Sequence, residues 1–211
     1  MALLDLLMPP ACAGCGRPGS LLCDRCVGAF APPFRPDDRF VAPDAGVVMG
    51  DALVLAMAAF AYAGPIRRAL AALKYSGASR LAPILAHAAA PALERLLAIT
   101  GPAVLAPVPV HRERRRERGY NQAELIARAL GPTAALLERV RPTTKQHRLD
   151  RAARLANLRG AFRVVPGLAL PSTVIVVDDI ITTTATLEAC ASVLREAGVE
   201  AVYGFAAARE V

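Results

Sequence analysis

Apolar residues along the chain recur in two patterns, continuous runs and helical spacings. The continuous runs predict strands at 52–62, 103–110, 161–165, 172–179 and 199–208. The helical spacings predict helices at 64–77, 80–98, 121–130 and 186–197. Strands that alternate with helices favour an α/β fold built on a mostly parallel sheet that is flanked by helices.

Proline, glycine and capping residues set the predicted limits of these helices. Pro91 is predicted to kink or split the helix at 80–98, because proline removes an internal hydrogen bond. Asn121 can cap the helix that it opens, and Glu124 follows three residues later, as in a capping box. The segment 139–163 has weak periodicity, which predicts loop and short helix before the strand at 161–165.

Composition divides the chain into three predicted parts. Residues 1–30 contain four closely spaced cysteines, residues 31–50 are rich in proline and acid, and residues 51–211 carry the strand and helix pattern. We therefore predict a small cysteine module, a linker and one α/β domain.

Positive charge is concentrated in two stretches of the 211-residue chain. Its 25 Lys and Arg against 18 Asp and Glu give a net charge of +7. The stretch 139–163 holds eight Lys and Arg and one acid, and 111–119 holds five arginines and two glutamates. Such clusters suit a polyphosphate ligand or a nucleic acid, but a solvated basic surface gives the same pattern.

No stretch of the chain predicts insertion into a membrane. The longest stretches without acids, bases or histidine are Ala52–Ile66 and Leu96–Val110, with 15 residues each, and both contain Gly-Pro. They are too short and too broken to span a bilayer. The first residues include Asp5 and no basic segment, so we expect no signal peptide and a cytoplasmic protein.

Four of the five cysteines have the spacing of a closed metal site. Cys12, Cys15, Cys23 and Cys26 form two C-x2-C pairs that are separated by seven residues. Two such pairs supply four thiolates, which is the ligand set of a structural zinc site. Two disulfides or a redox role of a C-x2-C pair are the alternatives, but disulfides are rare in the reducing cytoplasm. Cys190 lies on an apolar helix face and is interpreted as a core residue.

The stretch 174–187, VIVVDDIITTTATL, combines a buried strand, two adjacent carboxylates and a threonine loop before a helix. Ligands of parallel sheets bind at the carboxyl ends of strands, where Asp178 and Asp179 lie. The free N–H groups of the following helix favour a phosphate. A ribose phosphate satisfies both halves, with its hydroxyls on the aspartates and its phosphate on Thr182–Thr186. Capping of the loop and helix without a ligand is the alternative.

The same stretch resembles the phosphoribosyl pyrophosphate (PRPP) motif of type I phosphoribosyltransferases. That motif has four apolar residues, an acid pair, two apolar residues and T-T-G-x-T. The resemblance implies that Asp178 and Asp179 are catalytic. It also implies that PRPP contacts the acid pair and the loop residues Thr182, Thr183, Thr184, Ala185 and Thr186.

Three further segments resemble the ComF family, which includes proteins called GntX. RERGYNQAELIARAL at 116–130, PVPVHR at 107–112 and RVRPTTKQHRLDRAARLANLRGAF at 139–162 match its signatures, as does the four-cysteine module. The resemblance covers nearly the whole chain. It implies a type I phosphoribosyltransferase core with a zinc-binding module, a cytoplasmic location and a part in natural competence.

The resemblance also implies a reaction and its partners. PRPP would bind with Mg²⁺, and pentosyl transfer to an unidentified acceptor would follow if the protein is an enzyme. Arg112, Arg114 and Arg118 are the candidates for closing over the pyrophosphate. In the alternative, the fold is a scaffold without catalysis that binds single-stranded DNA through 139–163. Other competence proteins are further expected partners.

One position departs from the PRPP motif, because Thr184 stands where the motif has glycine. Glycine adopts positive φ readily, whereas β-branched threonine does not. Either the backbone at Thr184 stays in a region open to threonine, or the pocket binds phosphate more weakly. The substitution bears on catalysis more than on the fold.

Overall fold

The computed structural model describes residues 9–33, 50–141, 158 and 160–210. Most of the predicted linker and the stretch 142–157 lie outside the described residues. The strands are β1 (Ala56–Ala61), β2 (Val104–Pro107), β3 (Leu137–Arg139), β4 (Phe162–Val164), β5 (Thr173–Ile181) and β6 (Ala201–Arg209). The helices are α1 (Asp24–Val27), α2 (Gly64–Tyr75), α3 (Leu81–Thr100), α4 (Arg112–Arg118), α5 (Gln122–Leu130) and α6 (Ala185–Glu196).

The central sheet has four parallel strands in the order β1-β6-β5-β2. β3 and β4 form a separate antiparallel pair. The parallel sheet, with helices between its strands, confirms the predicted α/β class.

Strand β5 is apolar at successive positions because helices cover both faces of the sheet. Ile175 and Val177 belong to the core on the side of α2, α3 and α5. Val174 and Val176 belong to the core on the side of α6 and the β3–β4 pair. Gly204 of β6 allows close packing, since a Cβ there would lie 2.8 Å from atoms of Ala56 and Leu187.

One of the two outcomes predicted for Pro91 and one predicted strand limit are wrong. Pro91 does not split the second long helix, because α3 runs from Leu81 to Thr100 with Pro91 inside it. Strand β5 does not end at the acid pair but continues to Ile181, because β6 remains paired with it as far as Arg209. In addition, the sequence pattern did not indicate α4, whose seven residues are all charged and show no apolar periodicity.

Within the described ranges, α3 is the one helix that is long and apolar enough to cross a membrane by length and composition alone. Core helices of globular proteins meet the same criterion. Leu81, Leu85 and Leu96 of α3 are fully buried in the core on the α2 side of the sheet. The absence of membrane insertion stays a prediction.

Candidate functional site

Strand β2 accompanies β5 only as far as the residue before the acid pair. β2 ends at Pro107, which is paired with Val177. The Val108 N–H then donates to the Val177 carbonyl at 2.8 Å, and the chain turns away. Asp178 is therefore the first residue of β5 that β2 does not flank. This end of the sheet faces a cavity.

The cavity has a volume of about 210 Å³ and is formed by five parts of the chain. The helix α2, the turn after β2, α4 with the start of α5, the end of β3 and the β5–α6 segment all contribute. Its lining residues are Lys74, Val108, Pro109, Val110, Arg114, Arg118, Gln122, Arg139, Asp178, Asp179, Ile180, Thr182 and Thr186. A second cavity of about 360 Å³ shares Lys74, Arg114 and Arg118 with it.

The two carboxylates have different surroundings. Asp179 is buried, with 3% of its surface exposed, whereas Asp178 lies deep in the fold but keeps part of its surface open to the cavity. Asp178 Oδ1 accepts a hydrogen bond from the Asp179 N–H at 2.8 Å. Burial, followed by repulsion from Asp179, raises the pKa of Asp178 well above its usual value. The site thus holds a carboxyl group whose charged form is unfavourable without a ligand.

Lys74, the next-to-last residue of α2, compensates part of this charge. Its Nζ lies 3.3 Å from Asp179 Oδ2. Burial lowers the pKa of Lys74, but Asp179 and Asp178 outweigh burial and raise it. Charge-assisted hydrogen bonds are typically about 2.7–2.9 Å long, so this contact is loose and leaves Asp179 able to accept from a ligand hydroxyl.

Three arginines line the cavity together with the acid pair. Arg114 and Arg118 are four residues apart and lie on the same face of α4. The Arg139 guanidinium lies 5.3 Å from the centre of the Phe162 ring. Burial and then the charge of Arg114 lower the pKa of Arg139. The charge of Asp178 acts on Arg139 in the opposite direction, so cations and a carboxylate interact at this side of the cavity.

The segment Tyr120–Gln122 fixes the turn between α4 and α5. The Tyr120 hydroxyl donates to the Leu73 carbonyl of α2. Asn121 caps α5 by accepting from the Ala123 N–H at 3.1 Å, and its Nδ2 donates to the Val108 carbonyl at 2.9 Å. Gln122 is buried, accepts from Arg118 and lines the cavity. Tyr120 and Asn121 therefore position the cavity wall, and Gln122 belongs to it.

The threonine loop connects β5 to α6. Thr182 and Thr186 line the cavity, and Thr184 is buried with 4% of its surface exposed. Thr184 precedes α6 with φ −68° and ψ −2°, and its side chain makes no capping hydrogen bond. These dihedrals lie in the right-handed helical region, which threonine adopts without strain. Replacement of the motif glycine is therefore compatible with this backbone.

Six of the predicted site residues come together at the cavity: Asp178, Asp179, Thr182, Thr186, Arg114 and Arg118. Thr183, Thr184 and Ala185 lie in the adjoining loop and first helical residue, outside the lining. Arg112 is exposed at the start of α4 and is also outside the lining.

Sequence reasoning did not assign Lys74 or Arg139 to the site, and for Tyr120, Asn121 and Gln122 it left open whether they meet a ligand or only start a helix. Lys74 carried a signal, because it is one of only two lysines in an arginine-rich chain and lies near the end of a predicted helix. Lysine and arginine are not interchangeable, so a lysine in a chain that otherwise uses arginine suggests a specific requirement. Arg139 and Gln122 stood within the family-like segments, but nothing local pointed their side chains at the acid pair.

The four cysteines of the N-terminal segment form a second candidate site, with the geometry of a metal centre. The sulfur atoms of Cys12, Cys15, Cys23 and Cys26 all lie within 4.8 Å of one another. Cys12 and Cys23 sulfurs are 3.6 Å apart, and all five cysteines of the chain are free. A disulfide needs about 2.05 Å, so the four sulfurs are arranged as ligands that could hold one metal ion.

The electrostatics of this cluster favour a cation. Burial alone would raise the pKa of Cys12, but N–H groups of Cys23, Cys15 and Gly14 lower it to about 6. Burial and the neighbouring sulfurs raise the pKa of Cys26 to about 12. One thiolate therefore opposes ionisation of the others unless a cation neutralises them. A Cβ at Gly14 would lie 2.7 Å from the Cys26 sulfur, which explains the glycine in this turn.

Known proteins resemble this chain over different lengths. Competence protein F of Haemophilus influenzae is 35% identical over 116 residues, 51% of this chain and 51% of that protein. DNA utilization protein YhgH of Salmonella typhi is 29% identical over 206 residues, 90% of this chain and 80% of the relative. Competence protein ComFC of Bacillus subtilis is 38% identical over 96 residues, 45% of this chain and 39% of the relative.

The chain thus spans about half the length of the Haemophilus relative that it matches. No protein-family model matches the chain.

Proposed function

Since the chain belongs to the ComF family, we propose that it binds PRPP at the cavity beside Asp178 and Asp179. The observation that carries this proposal is the composition of the cavity wall. Four cationic side chains line the cavity together with two carboxylates. The threonine loop connects the acid pair to the start of α6. A ligand with both hydroxyl groups and several phosphates fits this combination, whereas a simple anion would be repelled by the acid pair.

In the proposed complex, each part of PRPP meets a different part of the wall. Asp178 and Asp179 accept hydrogen bonds from the ribose hydroxyls. The loop Thr182–Thr186, with the first N–H groups of α6, holds the 5′-phosphate. Arg114 and Arg118 hold the pyrophosphate, and Lys74 is released from Asp179 to join them. Mg²⁺ would accompany the pyrophosphate, with water among its ligands.

If the bound PRPP reacts, the protein is a phosphoribosyltransferase that transfers the pentosyl group to an acceptor. Breaking the bond between C1 and pyrophosphate develops positive charge on the sugar and negative charge on the leaving group. Arg114, Arg118 and Lys74 would stabilise the leaving group. Among the described lining residues there is no histidine to serve as a base for the acceptor.

The proposed setting is the cytoplasm, in the use of incoming DNA during natural competence and together with other competence proteins. The names of the relatives support this setting, since they refer to competence or DNA utilization. We further propose that the metal of the four-cysteine site is zinc in a structural role, because four thiolates leave no open coordination position.

Calorimetric titration with two ligands tests the proposed PRPP site. Asp178→Asn should weaken both PRPP and ribose 5-phosphate by at least about tenfold, since each loses a charge-assisted hydrogen bond. Arg114→Gln together with Arg118→Gln should weaken PRPP but leave ribose 5-phosphate nearly unchanged. Glu200→Gln, which removes an exposed carboxylate elsewhere, serves as the control.

A wild-type protein that ignores PRPP with and without Mg²⁺ would overturn this proposal. Retention of single-stranded DNA with a steep salt dependence by the same protein would then support the alternative, a binding scaffold without catalysis.

A further inference from the structure

The four cysteines of the metal site differ in how far solvent reaches them. Cys12 and Cys26 are buried, and Cys23 is partly exposed. Cys15 is exposed, and it lines a cleft of about 600 Å³ between the four-cysteine module and helix α2. A thiolate that is open to solvent can react with an oxidant, whereas buried structural cysteines are inert. Cys15 is therefore the sulfur at which oxidation would begin.

The surroundings of Cys15 are cationic. Arg17, Arg25 and Arg68 line the same cleft, and among its described lining residues none is acidic. All three arginines are exposed, and they come from the first cysteine turn, α1 and α2. Positive charge beside a sulfur favours the thiolate, which is the nucleophilic form, and stabilises an anionic leaving group. Such surroundings are typical of a reactive cysteine.

Cys23 is placed to complete a disulfide with Cys15. Their sulfur atoms are 3.8 Å apart, and the bond would join the first C-x2-C pair to the second. The Cys12 sulfur lies 3.6 Å from that of Cys23, but Cys12 is buried and an oxidant does not reach it first. A disulfide needs a separation of about 2.05 Å, so the two sulfurs must leave their positions as metal ligands when the bond closes.

The turn between Cys12 and Cys15 is held against the first turn of α2. Arg68 Nε of α2 donates to the Gly14 carbonyl at 2.5 Å. A Cβ at Gly14 would lie 3.2 Å from Pro65 Cβ, so the turn and the helix are in close contact. Movement of the Cys15 sulfur therefore displaces atoms that touch the start of α2.

The other end of α2 reaches the PRPP cavity. Lys74 Nζ lies 3.3 Å from Asp179 Oδ2. The Tyr120 hydroxyl donates to the Leu73 carbonyl. Pro65 and Lys74 are nine residues apart, which is about 14 Å along a helix axis. Helix α2 thus contacts the cysteine site at one end and the acid pair at the other, and a rigid helix passes a displacement from end to end.

We propose that Cys15 and Cys23 form a peroxide-sensitive modification site that regulates the PRPP cavity through α2. The Cys15 thiolate attacks hydrogen peroxide, so that an S–O bond forms, the O–O bond breaks and hydroxide leaves. The Cys23 thiolate then attacks the sulfenic sulfur, which forms the disulfide and releases a second hydroxide. The two cysteines lose two electrons and the peroxide gains them. Two thiolates remain, and they do not complete a closed four-ligand site, so the protein loses its metal.

Treatment of the metal-loaded protein with hydrogen peroxide tests the modification itself. A chromogenic chelator should detect release of about one metal ion per chain. Disulfide mapping by tandem mass spectrometry should find the bond between Cys15 and Cys23. A thiol reductant with added zinc should restore the metal content. Retention of the metal with Cys15 still reduced, or a first disulfide that joins the buried Cys12 and Cys26, would overturn the proposal.

Two charge variants test the part of the cationic cleft. Arg17→Gln/Arg25→Gln keeps all four cysteines, so it should hold the metal but release it to peroxide at least about threefold more slowly. Arg95→Gln/Arg128→Gln removes the same charge from exposed positions on α3 and α5 outside the cleft, and it should react like the wild type. Equal rates in all three proteins, or equal slowing in both variants, would overturn the activation of Cys15 by the cleft.

Hydrogen exchange tests the path through α2. Amides of α2 should exchange at least about tenfold faster in the oxidised protein, and those of β5 should change less. Reduction with added zinc should restore the protection of α2. Unchanged exchange in α2 after metal loss would overturn the coupling. Equal acceleration in α2 and β5 would also overturn it, because oxidation would then destabilise the whole chain alike.

The effect on ligand binding rests on the proposed function. Calorimetry should show that oxidation weakens PRPP at least about threefold and ribose 5-phosphate less, because Lys74 is proposed to meet the pyrophosphate. Equal affinities in the oxidised and reduced protein would overturn the regulation. Reduced wild type that does not bind PRPP would overturn the proposed function instead, whereas metal release and exchange in α2 would still decide the modification.

Discussion

At the scale of single residues, the adjacent carboxyl groups of Asp178 and Asp179 destabilise the ligand-free fold, and Lys74 compensates only part of their charge. Asp178 and Asp179 repel each other inside the sheet, and Lys74 meets Asp179 alone at ion-pair distance. Asp178 instead accepts a hydrogen bond from the backbone N–H of Asp179. A buried carboxyl in this state costs stability, and such cost is common where a ligand is to be bound.

Asp178→Asn should therefore raise the stability of the ligand-free protein at pH 7. The pKa of Asp178 is raised above its ordinary value of 3.8. The protonated carboxyl of Asp178 contributes fully to the free energy of unfolding below about pH 3.8. This contribution is lost as pH rises through the folded-state pKa of Asp178. We expect the variant to melt a few degrees higher at pH 7, since 1 kcal/mol corresponds to about 2–4 °C in a protein of this size.

Differential scanning calorimetry between pH 4 and pH 7 checks this expectation. The gain should shrink toward pH 4, where the wild-type carboxyl holds its proton. Glu200→Gln should show no such trend, because Glu200 is exposed. A variant that melts lower than the wild type at pH 7 would show that the charge of Asp178 stabilises the fold.

At the scale of elements, one side chain connects a strand, a turn and a helix beside the site. Asn121 caps α5 and also holds the Val108 carbonyl after β2. Both Val108 and Gln122 line the cavity, so the bonds of Asn121 fix their separation. The sequence indicated the cap, because asparagine preceded an apolar helix. The bond to Val108 depends on a chain segment 13 residues away and needed the folded structure.

Asn121→Ala should destabilise the protein by about 1–3 kcal/mol, because it removes a cap and leaves a buried carbonyl without its donor. Urea unfolding measures this loss. Asn121→Asp is the matched variant, since it keeps an acceptor for the Ala123 N–H but directs a carboxylate at the Val108 carbonyl. We expect the Asn121→Asp protein to be destabilised as well, because a carboxylate oxygen cannot donate to the Val108 carbonyl. Wild-type stability in Asn121→Asp would mean that the cap alone matters.

At the scale of the whole molecule, the cysteine module shares a core with the α/β domain. Leu22 and Cys26 belong to the same buried cluster as Ile66 and Leu70 of α2. Phe30 packs edge to face on Phe60 of β1 with ring centres 4.9 Å apart. The structure thus connects two parts that the composition of the chain had predicted as separate.

Cys12→Ser/Cys23→Ser should abolish metal binding and lower the melting temperature of the whole protein by at least about 5 °C. Loss of the metal unfolds the module, and its apolar residues then leave the shared core. Metal analysis should find close to one zinc per wild-type chain. Cys190→Ala, which changes a buried cysteine of α6 outside the module, should keep the metal.

A double variant that loses its zinc but melts like the wild type would show that the module and the domain are energetically independent. Metal analysis that finds iron or no metal in the wild type would contradict the zinc assignment.

The sequence by itself determined the features that depend on local pattern and chemistry. Apolar runs predicted the buried strands, capping residues predicted α5, and spacing predicted a four-thiolate cluster. The acid pair and threonine loop of 174–187 were likewise predicted to form one strand-loop-helix unit, since neighbours in sequence stay neighbours in space.

Only the tertiary structure decided which distant residues meet that unit. Lys74, Arg139 and Gln122 reach it from three other elements, and their sequence separations from Asp178 exceed anything a local pattern can encode. The same holds for the limit of β5, which depends on how far β6 pairs with it, and for α4, whose charged sequence lacks an apolar period. Packing and pairing between distant segments fix such features, because their free energy arises only when the chain is folded.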